Sequence, residues 1–343
     1  VPLQHHIIQL FIMKKKTLIA LFLFALAAFM LFYKPQKNTQ YQHLDGFIFG
    51  TVYSITYSNP DNKNLSSQIN NALQAVNTSL SMFNPESTIS KINNNQPVEL
   101  DSLFLTVWNT GQYVSNCTHG AFDMTVAPLV DLWGFGLKNR EIVTDAEVDS
   151  IREYIGYELI VLEGGTIHKA YPEMRIDAGA IAKGYACDVL ADTLEAYGCT
   201  DFCIEIGGEL VVKGLNPKGT NWHIAINKPL EDSLCINREI QEVIELTNCG
   251  MATSGNYRNF YEINGKKYSH TIDPRTGYPV NHNLLSATIV APNCMTADAW
   301  ATACMVVGLE KAQVWINNRS DIKGYLIYEQ NGELKTWKSD DFK

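Results

Sequence analysis

The sequence predicts an α+β fold: one globular domain behind an N-terminal hydrophobic signal or anchor helix. Three observations carry this. Helix-periodic and strand-like stretches mix without strict βαβ alternation, which argues against a doubly wound sheet. The chain of 343 residues is 46% hydrophobic and 18% charged, enough apolar matter for a sizeable core. No long linker interrupts it after residue 46.

At the N-terminus, Lys14, Lys15 and Lys16 precede an uncharged apolar run from Thr17 to Tyr33. A cationic cluster followed by such a run forms an export signal. Seventeen helical residues reach roughly 25 Å, at the short end for a bilayer span. An uncleaved anchor is favoured over cleavage near Ala25-Leu26-Ala27, and the lysines should stay cytoplasmic, placing the domain on the periplasmic side of a bacterial inner membrane. Residues 1–12 precede Met13 and read as an upstream extension, 13–33 as the signal or anchor, 34–46 as a polar tether and 47–343 as the domain.

Within the domain, residues 47–58 alternate and are rich in β-branched and aromatic types, a strand signature. Leu65–Phe83, Leu103–Cys117 and Thr144–Ile155 have helical apolar spacing. A strand near Glu158–Leu162 leads to a Gly-Gly turn. A helix lies within Asp177–Tyr197. Phe202–Ile206 and Leu210–Lys213 read as strands around Gly207-Gly208, as do Trp222–Asn227 and Val243–Thr247. Thr296–Val307 reads as a helix.

The formal net charge of −9 argues against nucleic acid, whose phosphate backbone needs a basic face. An acidic protein that handles a phosphorylated ligand needs local positive charge, which a divalent cation supplies. Eight cysteines form no CxxC pair and no zinc spacing. They read as small buried hydrophobes, with one or two disulfides open if the domain is exported.

Five segments carry chemistry-bearing residues. Asp298 and Thr302 are four apart on a helix, so a carboxylate and a hydroxyl share one face and suit Mg²⁺; an exposed first-turn Asp is the competing reading. Arg175-Ile-Asp177-Ala-Gly-Ala180-Ile-Ala-Lys183-Gly184 joins a strand end to a helix start, where backbone N–H groups hold phosphate; Asp177 as a plain N-cap is the alternative. His270 precedes an Asp-Pro-x-x-Gly turn and is a candidate general base, or a structural histidine. Gly120-Ala121-Phe122-Asp123 offers an aromatic plane and a carboxylate, or core. Ala252-Thr-Ser254-Gly255-Asn-Tyr257-Arg258 is a turn with hydroxyls and a cation, or an ordinary loop.

In order, GTVYSITY, LSMFNPESTISKIN, GAFDMTVAPLVDLWGFG, RIDAGAIAKGYA, IGGEL, ATSGNYR, SHTIDPRTGYPV and MTADAWATA resemble the ApbE family of FAD:protein FMN transferases. The resemblance runs from about Gly50 to about Leu309. It implies a T-fold-like domain that transfers FMN from FAD to a Thr or Ser of an acceptor protein and releases AMP. By the same matching, Phe49, Phe83, Ala121, Phe122, Asp123, Asp177, Lys183 and Ile272 contact FAD. The resemblance further implies that Asp298, Thr302 and the Ala180 carbonyl hold Mg²⁺ and that His270 serves the transfer step. Two positions depart from the family pattern: Phe49 stands where Met is usual, and Asp177-Ala-Gly-Ala180 replaces Asp-Leu-Gly-Gly. The resemblance also implies acceptors bearing a motif like Asp-x-x-Ser/Thr-Gly-Ala-Thr/Ser: quinone reductase subunits, Rnf-type complexes and FMN-binding domains. Alternatives at this stage are an FAD pyrophosphatase and a non-catalytic flavin-binding protein.

Overall fold

The computed structural model describes residues 40–136, 143–229, 239–256, 260–263, 266–340 and 342. The signal or anchor segment 13–33, most of the tether, and Tyr257 and Arg258 of the fifth motif lie outside these. Among the described residues, no helix is long and apolar enough to cross a membrane.

The chain from Tyr41 onward is one compact unit. Its strands and helices follow in sequence as β1 (Tyr41–Ile48), β2 (Thr51–Ser58), α1 (Ser66–Leu80), α2 (Thr88–Asn93), α3 (Ser102–Thr118), α4 (Ala127–Leu132) and α5 (Asp145–Arg152). Then come β3 (Ile160–Glu163), β4 (Thr166–Lys169), α6 (Ala182–Ala196), β5 (Phe202–Ile206), β6 (Glu209–Lys213), β7 (Trp222–Asn227) and β8 (Ile240–Leu246). The remainder is β9 (Cys249–Gly255), β10 (Phe260–Ile263), β11 (Lys266–Ser269), β12 (Leu284–Ala291), α7 (Cys294–Val307), α8 (Leu309–Asn317), β13 (Lys323–Gln330) and β14 (Glu333–Lys338). This is the mixed architecture expected from the sequence.

Eight strands form one antiparallel sheet in the order β1-β2-β5-β6-β9-β12-β13-β14, and β3-β4, β7-β8 and β10-β11 are separate hairpins. Period-2 burial on β2 sends Tyr53, Ile55 and Tyr57 to the inner face, where they meet Ile204 and Ile206 of β5 and the helices. That main cluster holds α6 and α7, whose buried small residues (Gly184, Ala186, Ala297, Ala301) let the helices pack closely. The opposite face is covered at its centre: Leu210, Val212 and Met251 pack with Trp222 and Ile244 of the β7–β8 hairpin. A third cluster of Leu129, Trp133, Val148 and Ile272 anchors α4 and α5 beside the loop after β11.

Two expectations are corrected. The tether expected through residue 46 is strand from Tyr41, and the single strand over 47–58 is two strands folded at Phe49-Gly50, both at positive φ (52° and 74°). Because β1 is an edge strand with one half-exposed face, its Gln42, His43 and Asp45 read as tether. The seven described cysteines, Cys117, Cys187, Cys199, Cys203, Cys249, Cys294 and Cys304, are free thiols.

Candidate active site

The ends of β6 and β9, the start of α6, one face of α7 and the β1–β2 turn line two cavities. One, about 440 Å³, is lined by Ala121, Phe122, Asp123, Ala180, His270, Ile272, Asp298 and Thr302 together with Glu209 and Ser254. The other, about 510 Å³, lies beneath the β1–β2 turn and is walled by Phe49, Leu80, Met82 and Phe83. Asp177, Gly179 and Lys183 line both, so the two cavities meet at the start of α6. Every candidate residue thus faces one or both of these spaces.

Helix α6 begins at Ala182 after Ile181, which makes no side-chain capping bond. The first N–H groups of a helix lack partners within it and favour an anion. Here the Gly184 N–H donates to Asp298 Oδ2 (3.1 Å). The helices approach closely because Gly184 lacks a side chain: a Cβ there would lie 2.4 Å from the Cys294 carbonyl oxygen and 2.8 Å from Asp298 Cβ. Asp298 is only 3% exposed, so the exposed first-turn reading fails. One turn on, Thr302 Oγ1 shares a 3.1 Å hydrogen bond with Ser254 Oγ of β9, in which either hydroxyl donates.

Lys183 forms an ion pair with Glu209. Burial works against the Lys183 charge, but the carboxylates of Glu209 and Asp298 outweigh it and hold the amine protonated. Burial pushes the carboxyls of Glu209 and Asp298 up, against the pull of Lys183. One ammonium therefore faces two buried carboxylates, and Glu209 Oε2 is buried with no hydrogen-bond partner. Among the described residues no three His, Cys, Asp or Glu side chains converge as a metal cage. What lines the cavity together is a set of residues bearing hard oxygens: the Asp298 carboxyl, the Thr302 hydroxyl and the Ala180 backbone. That fits Mg²⁺, which keeps waters and phosphate oxygens rather than an all-protein cage.

Asp177 is not the N-cap of α6; its Oδ1 accepts the Gly179 N–H (2.6 Å) and closes the bend before the helix. Burial raises its carboxyl. Asp123 is held from three sides: Oδ1 accepts from Thr125 N and Oγ1 (both 2.7 Å), and Oδ2 from the Tyr157 N–H (2.8 Å). Burial still pushes it up to about 6. Its carboxylate shapes the wall, with both oxygens already engaged. Phe122 is 3% exposed and belongs to the main core as much as to the cavity.

His270 follows the last residue of β11. The loop is fixed around it: Val280 N–H donates to the Thr271 carbonyl (2.9 Å), and Thr271 Oγ1 donates to Asn256 Oδ1 (2.7 Å). Trp133 Nε1 donates to the Gly277 carbonyl (2.8 Å) at the expected Asp-Pro turn. The His270 ring meets Phe135 edge-on, with centroids 6.3 Å apart.

The family model of the ApbE family matches residues 49–326. The chain belongs to the ApbE family. Its similarity to curated relatives is continuous: 39% identity over 330 residues with the FAD:protein FMN transferase of Vibrio cholerae, covering 94% of this chain and 97% of the relative. With the FAD:protein FMN transferase of Escherichia coli K12 it shares 33% over 324 residues, covering 90% and 91%. The solved flavin transferase ApbE from Vibrio cholerae superposes with a TM-score of 0.80 at 38% identity, covering 89% of this chain and 98% of that one.

For this ApbE-family chain, the sequence missed two site residues. Glu209 was legible only as the fourth residue of IGGEL, a turn signal. Ser254 stood in a segment read as hydroxyl-bearing, but its partner Thr302 lies 48 residues away and only β9 packing against α7 joins them.

Proposed function

We infer that the chain is an FAD:protein FMN transferase that uses Mg²⁺ to move FMN from FAD to a Thr or Ser hydroxyl of an acceptor protein, with AMP as the leaving group. One observation carries this reading. Asp298, Thr302, Lys183 and His270 line a cavity that opens, at the start of α6, into a second cavity walled by Phe49 and Phe83. The joined space suits a dinucleotide: aromatic surface for a flavin, and charge and backbone N–H groups for the linked phosphates. The eight-stranded sheet with its helices on one face supports the T-fold-like description.

Asp298, Thr302 and the Ala180 carbonyl would hold Mg²⁺, which when bound neutralises the phosphate charge that builds in transfer. Lys183, kept cationic by its two carboxylate neighbours, orients the same oxygens. His270 accepts the proton from the acceptor hydroxyl as its oxygen attacks the phosphorus on the FMN side; the bond to AMP breaks and AMP carries away the electron pair. Most of the rate comes from positioning and preorganised charge. The lysine cluster and apolar run before Lys34 support placement on the periplasmic side of the inner membrane. The resemblance supports acceptors carrying an Asp-x-x-Ser/Thr-Gly-Ala-Thr/Ser motif.

Incubation with FAD, Mg²⁺ and such an acceptor, followed by a denaturing gel, tests the reading. Flavin fluorescence retained on the acceptor band, with one AMP released per flavin, is expected. Free FMN with no labelled acceptor would instead show hydrolysis, and no AMP would show binding alone.

A further inference from the structure

Glu209 has a role that its place in the chain does not announce. It opens β6 directly after the two-residue turn Gly207-Gly208, and both glycines have positive φ (66° and 109°). The tight turn sets the carboxylate at the start of the strand, in the wall of the cavity that Asp298 and Thr302 line. The side chain is 7% exposed. Oε1 grips the Lys183 ammonium, while Oε2 is buried without a hydrogen-bond partner.

A buried carboxylate oxygen left unpaired is rare and costly in native proteins, and it points to a group that completes it. Lys183 cannot supply that charge alone, because it stands between two buried carboxylates, Glu209 and Asp298. The two carboxyls thus share one ammonium in the wall of the same cavity. A salt bridge serving only the fold would leave no carboxylate oxygen buried without a partner; this one leaves Glu209 Oε2 so.

We propose that Glu209 is a positioning residue of the transfer site: one oxygen fixes the Lys183 ammonium, and the other, buried without a partner in the same cavity, completes the oxygen-lined wall that draws the divalent cation to Asp298 and Thr302. This rests on the metal reading above and extends it to a residue outside the Asp298–Thr302–Ala180 set. Neighbours that orient a metal site typically change its metal affinity by about 10–100-fold when removed.

The test is Mn²⁺ binding to the full chain without FAD, followed by electron paramagnetic resonance, beside the Mg²⁺ concentration that half-saturates transfer. Glu209→Gln keeps shape and removes charge. It is expected to weaken Mn²⁺ binding about 10-fold or more and to raise the half-saturating Mg²⁺ by a similar factor, with KM for FAD changing far less. Glu209→Asp, which keeps the charge, should recover most of the Mn²⁺ affinity. Where Glu209→Gln fails to fold, Glu209→Ala, which also removes the charge, takes its place with the same expected loss. Asp298→Asn is the control. If Asp298→Asn loses Mn²⁺ while the variant that removes the Glu209 charge binds it as the unmodified chain does, the role of Glu209 is overturned and the metal reading stands. If the unmodified chain binds no Mn²⁺, or Asp298→Asn binds it normally, the metal reading falls and this inference with it.

Discussion

Phe49 is a bulky residue in a left-handed turn (φ 52°), a conformation that costs an L side chain about 1–2 kcal/mol and that Asn or Gly adopts more readily. Strain of this kind persists where the surroundings exploit it, and here the ring walls the cavity beneath the hairpin. Phe49→Asn creates Asn-Gly, a strongly favoured two-residue hairpin turn. The variant should therefore melt no lower than the parent while binding FAD more weakly. Equal FAD affinity in a fluorescence-quenching titration would remove Phe49 from the site. His270 makes the complementary case, a residue whose proposed value is chemical. His270→Ala should leave FAD affinity within a few-fold and slow transfer about 10²–10⁴-fold, the usual worth of general-base help. Loss of FAD binding with an unchanged rate would reverse that assignment. Phe49 was singled out from the sequence by motif matching alone, whereas His270 also stood before a turn signal that by itself did not separate a base from a structural histidine.

At the scale of elements, the site is a crossing of two helix starts. Gly184 is the contact point, so Gly184→Ala should push α6 away from the Cys294 carbonyl, a backbone atom that cannot swing aside. Overpacking of this kind costs about 1–3 kcal/mol, and differential denaturation should show it together with a raised Mg²⁺ requirement. The start of α7 is held from α6 as well: Asp188 accepts the Cys294 and Met295 N–H groups, each at 2.8 Å. Burial pushes the Asp188 carboxyl up to about 7. A carboxyl whose pKa is higher folded than unfolded keeps its proton longer in the native state, so its contribution to stability falls as pH rises from about 4 to about 7. Asp188→Asn lacks that dependence. Its deficit in urea midpoint should be larger at pH 5 than at pH 8, and a deficit that grew toward pH 8 would contradict the burial argument. These joints were invisible in the sequence, since Asp188 sits on a helical face where a charge reads as solvated.

At the scale of the whole molecule, the sheet begins earlier than the sequence suggests. A chain beginning at Thr51 would lose β1, bare the edge of β2 and uncover Tyr53, whereas one beginning at Tyr41 keeps the pairing. The shorter chain should melt lower and aggregate sooner, as an open edge invites, and equal melting temperatures would show β1 to be dispensable. Helices with strong periodicity, such as Leu103–Cys117, were legible because burial imposes a 3.6-residue pattern that survives in the sequence. The edge strand β1, the short helices α2 and α4, and the nearly all-buried β12 were not, because half-exposed or fully buried segments lose that contrast. By itself the sequence determined the mixed α and β composition, the order of the motifs and the chemical types available: a carboxylate and hydroxyl one helical turn apart, a lysine at a helix start, a histidine before a rigid turn. Only the tertiary structure decided that Asp298 is buried rather than exposed, that Glu209 shares Lys183 with it, and that Ser254 meets Thr302. Those facts depend on strand order and helix crossing, which join residues far apart in the chain, and no local pattern encodes the space between them.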